Sequence, residues 1–225
     1  MSMVENDTGM KKTALITGAS SGIGYELARV FAREGHDVVL TARTKESLDK
    51  LARELQGSHS VRAISLPADL SDSRAADQIH ATLEEERVRI NLLVNNAGFG
   101  THGPFSEAEL TSQLRMMQVN MTALVHLTRL FLPDMVKRGE GRVLNVAATA
   151  AFAPGPMMAV YYASKAFVLS FSQAVADEVK GSGVTVTALC PGPTRTGFQG
   201  SAGMEKTRLF SRGVMDANVV AEAGY

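Results

Sequence analysis

Residues Thr13-Ala14-Leu15-Ile16-Thr17-Gly18-Ala19-Ser20-Ser21-Gly22-Ile23-Gly24-Tyr25-Glu26-Leu27-Ala28 pass from an apolar, β-branched run through a cluster of glycines into a pattern of helical period. A buried strand that turns sharply into a helix places free backbone N–H groups at the positive end of the helix, where a phosphate binds. Glycines permit both the turn and the close approach of the backbone. The spacing Gly18-x-x-x-Gly22-x-Gly24 is neither Gly-x-Gly-x-x-Gly nor a P-loop, which would need Gly-Lys followed by Ser or Thr. An ordinary strand-to-helix turn is the alternative, and the joint presence of strand, glycines and helix argues against it. Outward from this junction the same alternation repeats. Apolar runs at 13–17, 37–41, 61–66, 90–94, 142–146 and 184–189 predict buried strands, and amphipathic stretches at 23–34, 45–55, 72–86, 107–137 and 161–180 predict helices. Six strands alternating with helices predict an α/β fold: one doubly wound parallel sheet of Rossmann type with helices on both faces.

Composition narrows the function. With 23 basic and 23 acidic residues the formal charge is zero, which removes the electrostatic footprint of a nucleic-acid or anionic-membrane binder and leaves a small molecule as the expected partner. Cys190 is the single cysteine, so a disulfide framework and a cysteine metal site are both excluded, and a reducing cytoplasm fits. The five histidines lack metal-ligand spacing, and no metal is expected. Residues 1–11 are polar and read as a flexible lead-in. The apolar stretch 143–163 is interrupted by Asn145, Pro154, Gly155 and Pro156 and does not predict a membrane span. The chain reads as one domain. A short amphipathic helix at 216–223 follows the sixth strand, so the fold either is complete with six strands or lacks a C-terminal strand.

Chemistry is carried by a pair. Tyr161 and Lys165 stand four apart, a spacing that puts a phenol and an ammonium on one helical face. A nearby positive charge favours the phenolate, so the tyrosine becomes a usable acid or base. Tyr162 has Ala166 at the same offset and is read as a packing residue. At the end of the second strand stands Thr41-Ala42-Arg43-Thr44-Lys45. An acidic residue there would accept hydrogen bonds from a ribose 2′-hydroxyl; Arg43 instead can pair with a 2′-phosphate and stack on adenine, or with Lys45 form a solvated helix start.

Thr17-Gly18-x-x-x-Gly22-x-Gly24, followed in order by Asn95-Asn96-Ala97-Gly98, Asn120 and Tyr161-x-x-x-Lys165, resembles the short-chain dehydrogenase/reductase family, and the resemblance runs from Lys12 to the end of the chain. It implies a homodimer or homotetramer, built through helices 107–137 and 161–180, that exchanges hydride between NADP and a carbonyl or alcohol. Gly18, Ser20, Ser21, Gly22, Ile23 and Gly24 would cradle the pyrophosphate. Asp69 and Leu70 would meet the adenine, and Asn96, Ala97 and Gly98 would flank the adenosine ribose. Asp69 suits equally a turn before Ser71 and Asp72. Tyr161 would exchange the proton, Lys165 would hold the nicotinamide ribose and tune the phenol, and Asn120 would anchor a water in the proton path. Pro191, Gly192, Thr194 and Thr196 would face the nicotinamide amide. Phe152, Met157 and Met158 suit an apolar substrate pocket or the core, and His102 a loop near its mouth.

One position departs from the pattern. The family carries a serine thirteen residues before the tyrosine, and here that position is Ala148. Removing one donor to a developing oxyanion costs about a hundredfold to a thousandfold in rate. Ala148 therefore reads as a weakened enzyme or an engineered serine replacement, and the rival reading is a non-catalytic NADP-binding sensor or structural subunit. Thr149 could substitute only if the loop slipped.

Overall fold

A computed structural model describes residues 11–198 and 213–225, so the lead-in lies almost wholly outside the described residues. Six parallel strands, β1 (Thr13–Thr17), β2 (Asp37–Thr41), β3 (Ala63–Ser65), β4 (Leu92–Asn95), β5 (Gly141–Val146) and β6 (Val184–Leu189), form one sheet in the order β3-β2-β1-β4-β5-β6. Successive side chains of a strand point to opposite faces, so a sheet covered on both sides requires continuous apolar runs. Ala14, Ile16, Val38 and Leu40 enter the layer under helices α1 (Gly22–Arg33) and α2 (Lys45–Ser58), where Leu27 and Leu48 are also buried. Leu15, Val39, Leu93 and Val143 enter the opposite layer, under α3 (Ala75–Glu85), α5 (Ala123–Arg138) and α6 (Ala159–Glu178). The strand order reverses between β1 and β4, which opens a crevice at the carboxyl ends of these strands.

Three predicted boundaries move, each for a local reason. The third helix begins at Ala75 because two carboxylates hold the preceding residues in turns: Ser71 N–H donates to Asp69 Oδ1 (3.0 Å) and Arg74 N–H to Asp72 Oδ1 (2.9 Å). The third strand shrinks to Ala63–Ser65, with the Arg62 N–H bonded to the Asp37 carboxylate (2.8 Å). The stretch 107–137 is not one helix. A 3-10 turn (Phe105–Glu107) precedes α4 (Leu110–Met117), whose first turn is capped by the Glu109 carboxylate accepting from Ser112 N–H (2.7 Å). A π-helical turn (Gln118–Thr122) then joins α4 to α5.

After β6 a short parallel pair, β7 (Thr194–Arg195) and β8 (Met215–Asp216), leads to α7 (Ala217–Gly224). This last helix packs on α1, where Arg33 grips Glu222 through two hydrogen bonds (2.6 and 2.9 Å) and Phe31 meets Tyr225 edge-on. Among the described residues no helix is long and apolar enough to cross a membrane.

Candidate active site

The glycine loop is built into the crevice by residues on β1 and β4. Gly18 and Gly22 have φ of +67° and +60°, a left-handed backbone that side chains other than glycine resist. A Cβ on Gly24 would lie 2.4 Å from both the Gly18 carbonyl oxygen and Asn96 Nδ2, so only glycine lets the helix start here. Thr17 Oγ1 accepts the N–H groups of Asn96 and Ala97 (2.9 Å each) and donates to the Val94 carbonyl (3.2 Å). The Asn95-Asn96-Ala97-Gly98 turn is thereby stitched to the loop. Ser21 caps α1 in an extended conformation and no acidic residue occupies the first turn, so the positive end of the helix faces the cavity uncompensated.

A single cavity of about 590 Å³ runs from this loop to the tyrosine pair, and it is lined by Gly18, Ser20, Ser21, Gly22, Ile23, Asn96, Ala97, Gly98, Pro191, Gly192, Thr194 and Thr196. At one end stand Arg43, Asp69 and Leu70. Lys45 is drawn off by Asp49 (2.7 Å), which leaves Arg43 as the cation that the end of β2 contributes to the cavity wall. Asp69 holds its turn through Ser71 and also lines the cavity. Burial would raise its carboxyl, but the Ser71 hydrogen bonds and the charges of Arg43 and Arg115 outweigh that and hold it below the ordinary value.

At the other end α6 delivers Tyr161 and Lys165. Lys165 is buried and donates from Nζ to the Val146 carbonyl (2.7 Å), and its Nζ sits 5.9 Å from the centre of the Tyr161 ring. Burial pulls the ammonium down to about 8, against a small opposing pull from Cys190. Burial, reinforced by neighbouring Tyr162, pushes the Tyr161 phenol up to about 12. The expectation that Lys165 lowers the phenol is therefore not met by the protein groups alone. The physical reason is that the ammonium is directed to a carbonyl and both groups are desolvated.

Asn120 sits within the π turn and is buried. Its Nδ2 donates to the Phe99 carbonyl (2.9 Å) and to Ser164 Oγ (3.1 Å), and its Oδ1 accepts from Phe99 N–H (3.0 Å). Ser164 Oγ donates in turn to the Tyr161 carbonyl (2.7 Å). The extra residue of a π turn rotates the side chain inward, which explains an asparagine in the middle of an otherwise helical stretch. Asn120 thus ties the loop after β4 to the turn of α6 that carries the tyrosine.

The short chain dehydrogenase family model matches residues 12–207. The chain belongs to this family. It is 37% identical over 188 residues to an uncharacterised oxidoreductase, YvrD, of Bacillus subtilis, covering 83% of this chain and 70% of that protein. It is 39% identical over 191 residues to a sulfoacetaldehyde reductase of Chromohalobacter salexigens, covering 84% and 75%. Among solved structures, a short-chain dehydrogenase from Sphingobium yanoikuyae in complex with NADPH superposes with a TM-score of 0.88 at 40% identity, covering 94% of this chain and 82% of that one. The fold is the family's Rossmann fold, and the chain is a short-chain dehydrogenase-type oxidoreductase.

At the family's serine position Ala148 lies two residues beyond β5 in an extended conformation (φ −169°, ψ 166°) and lines the cavity with Ala147, Thr149 and Ala150. Thr149 is held by its N–H on the Pro191 carbonyl (2.8 Å) and begins a 3-10 turn (Thr149–Phe152), so the loop has not slipped to bring its hydroxyl into the alanine's place. Met158 lines the cavity; Met157 and His102 line a separate hollow beside it, and Phe152 is exposed. Tyr162 packs over Gly155 and also reaches the cavity wall. Cys190 is half-buried beside Ala147. Among the described residues no cluster could hold a metal ion. Sequence reasoning missed Ser164, Phe198 and Arg115. Phe198 stacks obliquely on Tyr161 (5.2 Å between ring centres) across a turn that only the fold brings back.

Proposed function

We propose that this chain is an NADP-dependent oxidoreductase that interconverts an alcohol and a ketone or aldehyde. The observation that carries it is one cavity with a phosphate-type glycine loop and Arg43 toward one end and Tyr161 with buried Lys165 at the other. The dinucleotide fits these residues: Gly18, Ser20, Ser21, Gly22, Ile23 and Gly24 would hold the pyrophosphate, Arg43 the 2′-phosphate, Asp69 and Leu70 the adenine, and Asn96, Ala97 and Gly98 the ribose beside it. Pro191, Gly192, Thr194 and Thr196 would hold the nicotinamide amide. The cofactor supplies the hydride when bound. Tyr161 gives its phenolic proton to the carbonyl oxygen as charge develops there; burial keeps the phenol protonated at neutral pH but makes it a weaker acid, so the transfer needs a positive charge to stabilise the phenolate. Lys165 offsets the phenolate that remains and binds the ribose hydroxyls. Asn120 positions the tyrosine-bearing turn; both hydrogens of its amide are engaged, so a water of the proton path would be held by its oxygen atoms.

A second reading, a non-catalytic NADP-binding sensor or structural subunit, draws on Ala148 alone. A steady-state assay over uncharged aldehydes and ketones with NADPH separates the two. Tyr161→Phe is expected to lower kcat by a factor on the order of a hundred or more; no turnover in the parent protein supports the binding-only reading, and turnover unchanged by the substitution would remove Tyr161 from the proton-donor role. For the cofactor, Arg43→Ala is expected to weaken NADPH and spare NADH, and equal affinities in the parent would remove the phosphate argument. A homodimer or homotetramer through α5 and α6 belongs to the same proposal; exposed Phe167 on α6 supports it, and sedimentation tests it.

A further inference from the structure

Ser112, Arg115 and Val119 follow one another at spacings of three and four, so α4 and the π turn present one stripe to the cavity. Arg115 and Val119 of this stripe belong to the end of the cavity that holds Asp69 and Leu70. The Asp69 carboxyl lies within the electrostatic reach of two guanidinium groups, Arg43 from the end of β2 and Arg115 from α4. Two cations and one carboxylate leave a surplus positive charge there, and the two cations differ in setting. Arg43 follows the strand end where the ribose hydroxyls of a bound dinucleotide lie. Arg115 shares its stripe with apolar Val119, a surface suited to a base and not to a phosphate. A guanidinium is planar and weakly hydrated, and it stacks on aromatic faces.

We infer that Arg115 is a second cofactor-affinity residue, which lays its guanidinium against the adenine base beside Val119 and Asp69 while Arg43 engages the 2′-phosphate. The inference rests on the dinucleotide reading of the cavity. It separates two contributions to cofactor binding: Arg115 acts on every adenine dinucleotide alike, and Arg43 distinguishes the phosphorylated one.

Fluorescence titration of the intact protein with NADPH and with NADH tests this without any turnover. Arg115→Ala is expected to weaken both ligands by about tenfold, leaving their ratio as it was. Arg43→Ala is expected to weaken NADPH selectively. Arg115→Lys keeps the charge without the plane and is expected to recover only a minor part of the loss. Arg115 is exposed, so circular dichroism of the variants should match the parent. If the parent binds NADPH while Arg115→Ala changes neither affinity, the inference fails and the dinucleotide reading stands. If Arg115→Ala weakens NADPH alone, Arg115 reads the phosphate and the assignment to the base is overturned. A parent that binds neither dinucleotide overturns the cofactor reading itself and this inference with it.

Discussion

Ala148→Ser should raise carbonyl reduction by about 30- to 160-fold, and the figure follows from two competing hydrogen bonds. The position tolerates serine, because its backbone is extended and the residue lines the cavity. A hydroxyl that donates to the developing oxyanion contributes about 2.7–4 kcal/mol when it is preorganised. The same hydroxyl stands at the cap of the 149–152 turn, where it can accept the Ala151 N–H that now reaches the Ala148 carbonyl at 3.0 Å. A cap of this kind is worth about 1 kcal/mol and competes with donation to substrate. The net of about 2–3 kcal/mol gives the stated range. The assay is initial-rate NADPH oxidation with a fixed ketone, run for the parent, Ala148→Ser and Ala148→Ser/Tyr161→Phe. A gain under tenfold, with Tyr161→Phe still abolishing activity, would refute the reasoning, since some other group would then already serve the oxygen.

Lys165→Met should lose activity yet stabilise the fold by about 2 kcal/mol at pH 7. The buried ammonium titrates near 8 against 10.5 unfolded, a difference of about 3 kcal/mol at roughly 1.4 kcal/mol per pH unit, less about 1 kcal/mol for the lost bond to Val146. The folded state binds the proton more weakly than the unfolded chain does. Parental stability therefore gains on the variant between pH 8 and 10.5, and the variant's advantage disappears above that window; urea denaturation across pH would read it. Gly24→Ala should weaken NADPH by more than about tenfold, because its methyl would meet Gly18 O and Asn96 Nδ2 at 2.4 Å, and unaltered binding would contradict the cradle. Asn145→Ala should cost about 2–4 kcal/mol by calorimetry, since it strips buried Asn95 (2.9 Å) and Ser172 (2.9 Å) of their shared partner.

The glycine loop and the Tyr161/Lys165 pair were legible because their chemistry is local: φ above zero needs glycine, and a four-residue offset sets one helical face. The break in the stretch 107–137 was harder to read. Asn120 signalled it by being an asparagine at mid-helix, but a π turn is specified by what the side chain binds across the crevice. Phe99 and Ser164 supply those partners from other elements. Ser164 itself looked like an ordinary small helical residue. The titration of Tyr161 was predicted in the wrong direction for the protein groups alone, because spacing gives proximity and not burial or the bearing of the ammonium.

The sequence by itself determined the alternation of strand and helix, the parallel sheet, the family and the placing of Tyr161 and Lys165 on one helical face, since each rests on period or on spacing within one segment. Tertiary structure alone decided that Arg43, Arg115 and Asp69 meet at one end of the cavity, that Phe198 returns to the tyrosine, and that Thr149 cannot take the place of Ala148. Those contacts join residues tens of positions apart, and their distances are set by how the sheet and its helices pack. No local pattern records that packing.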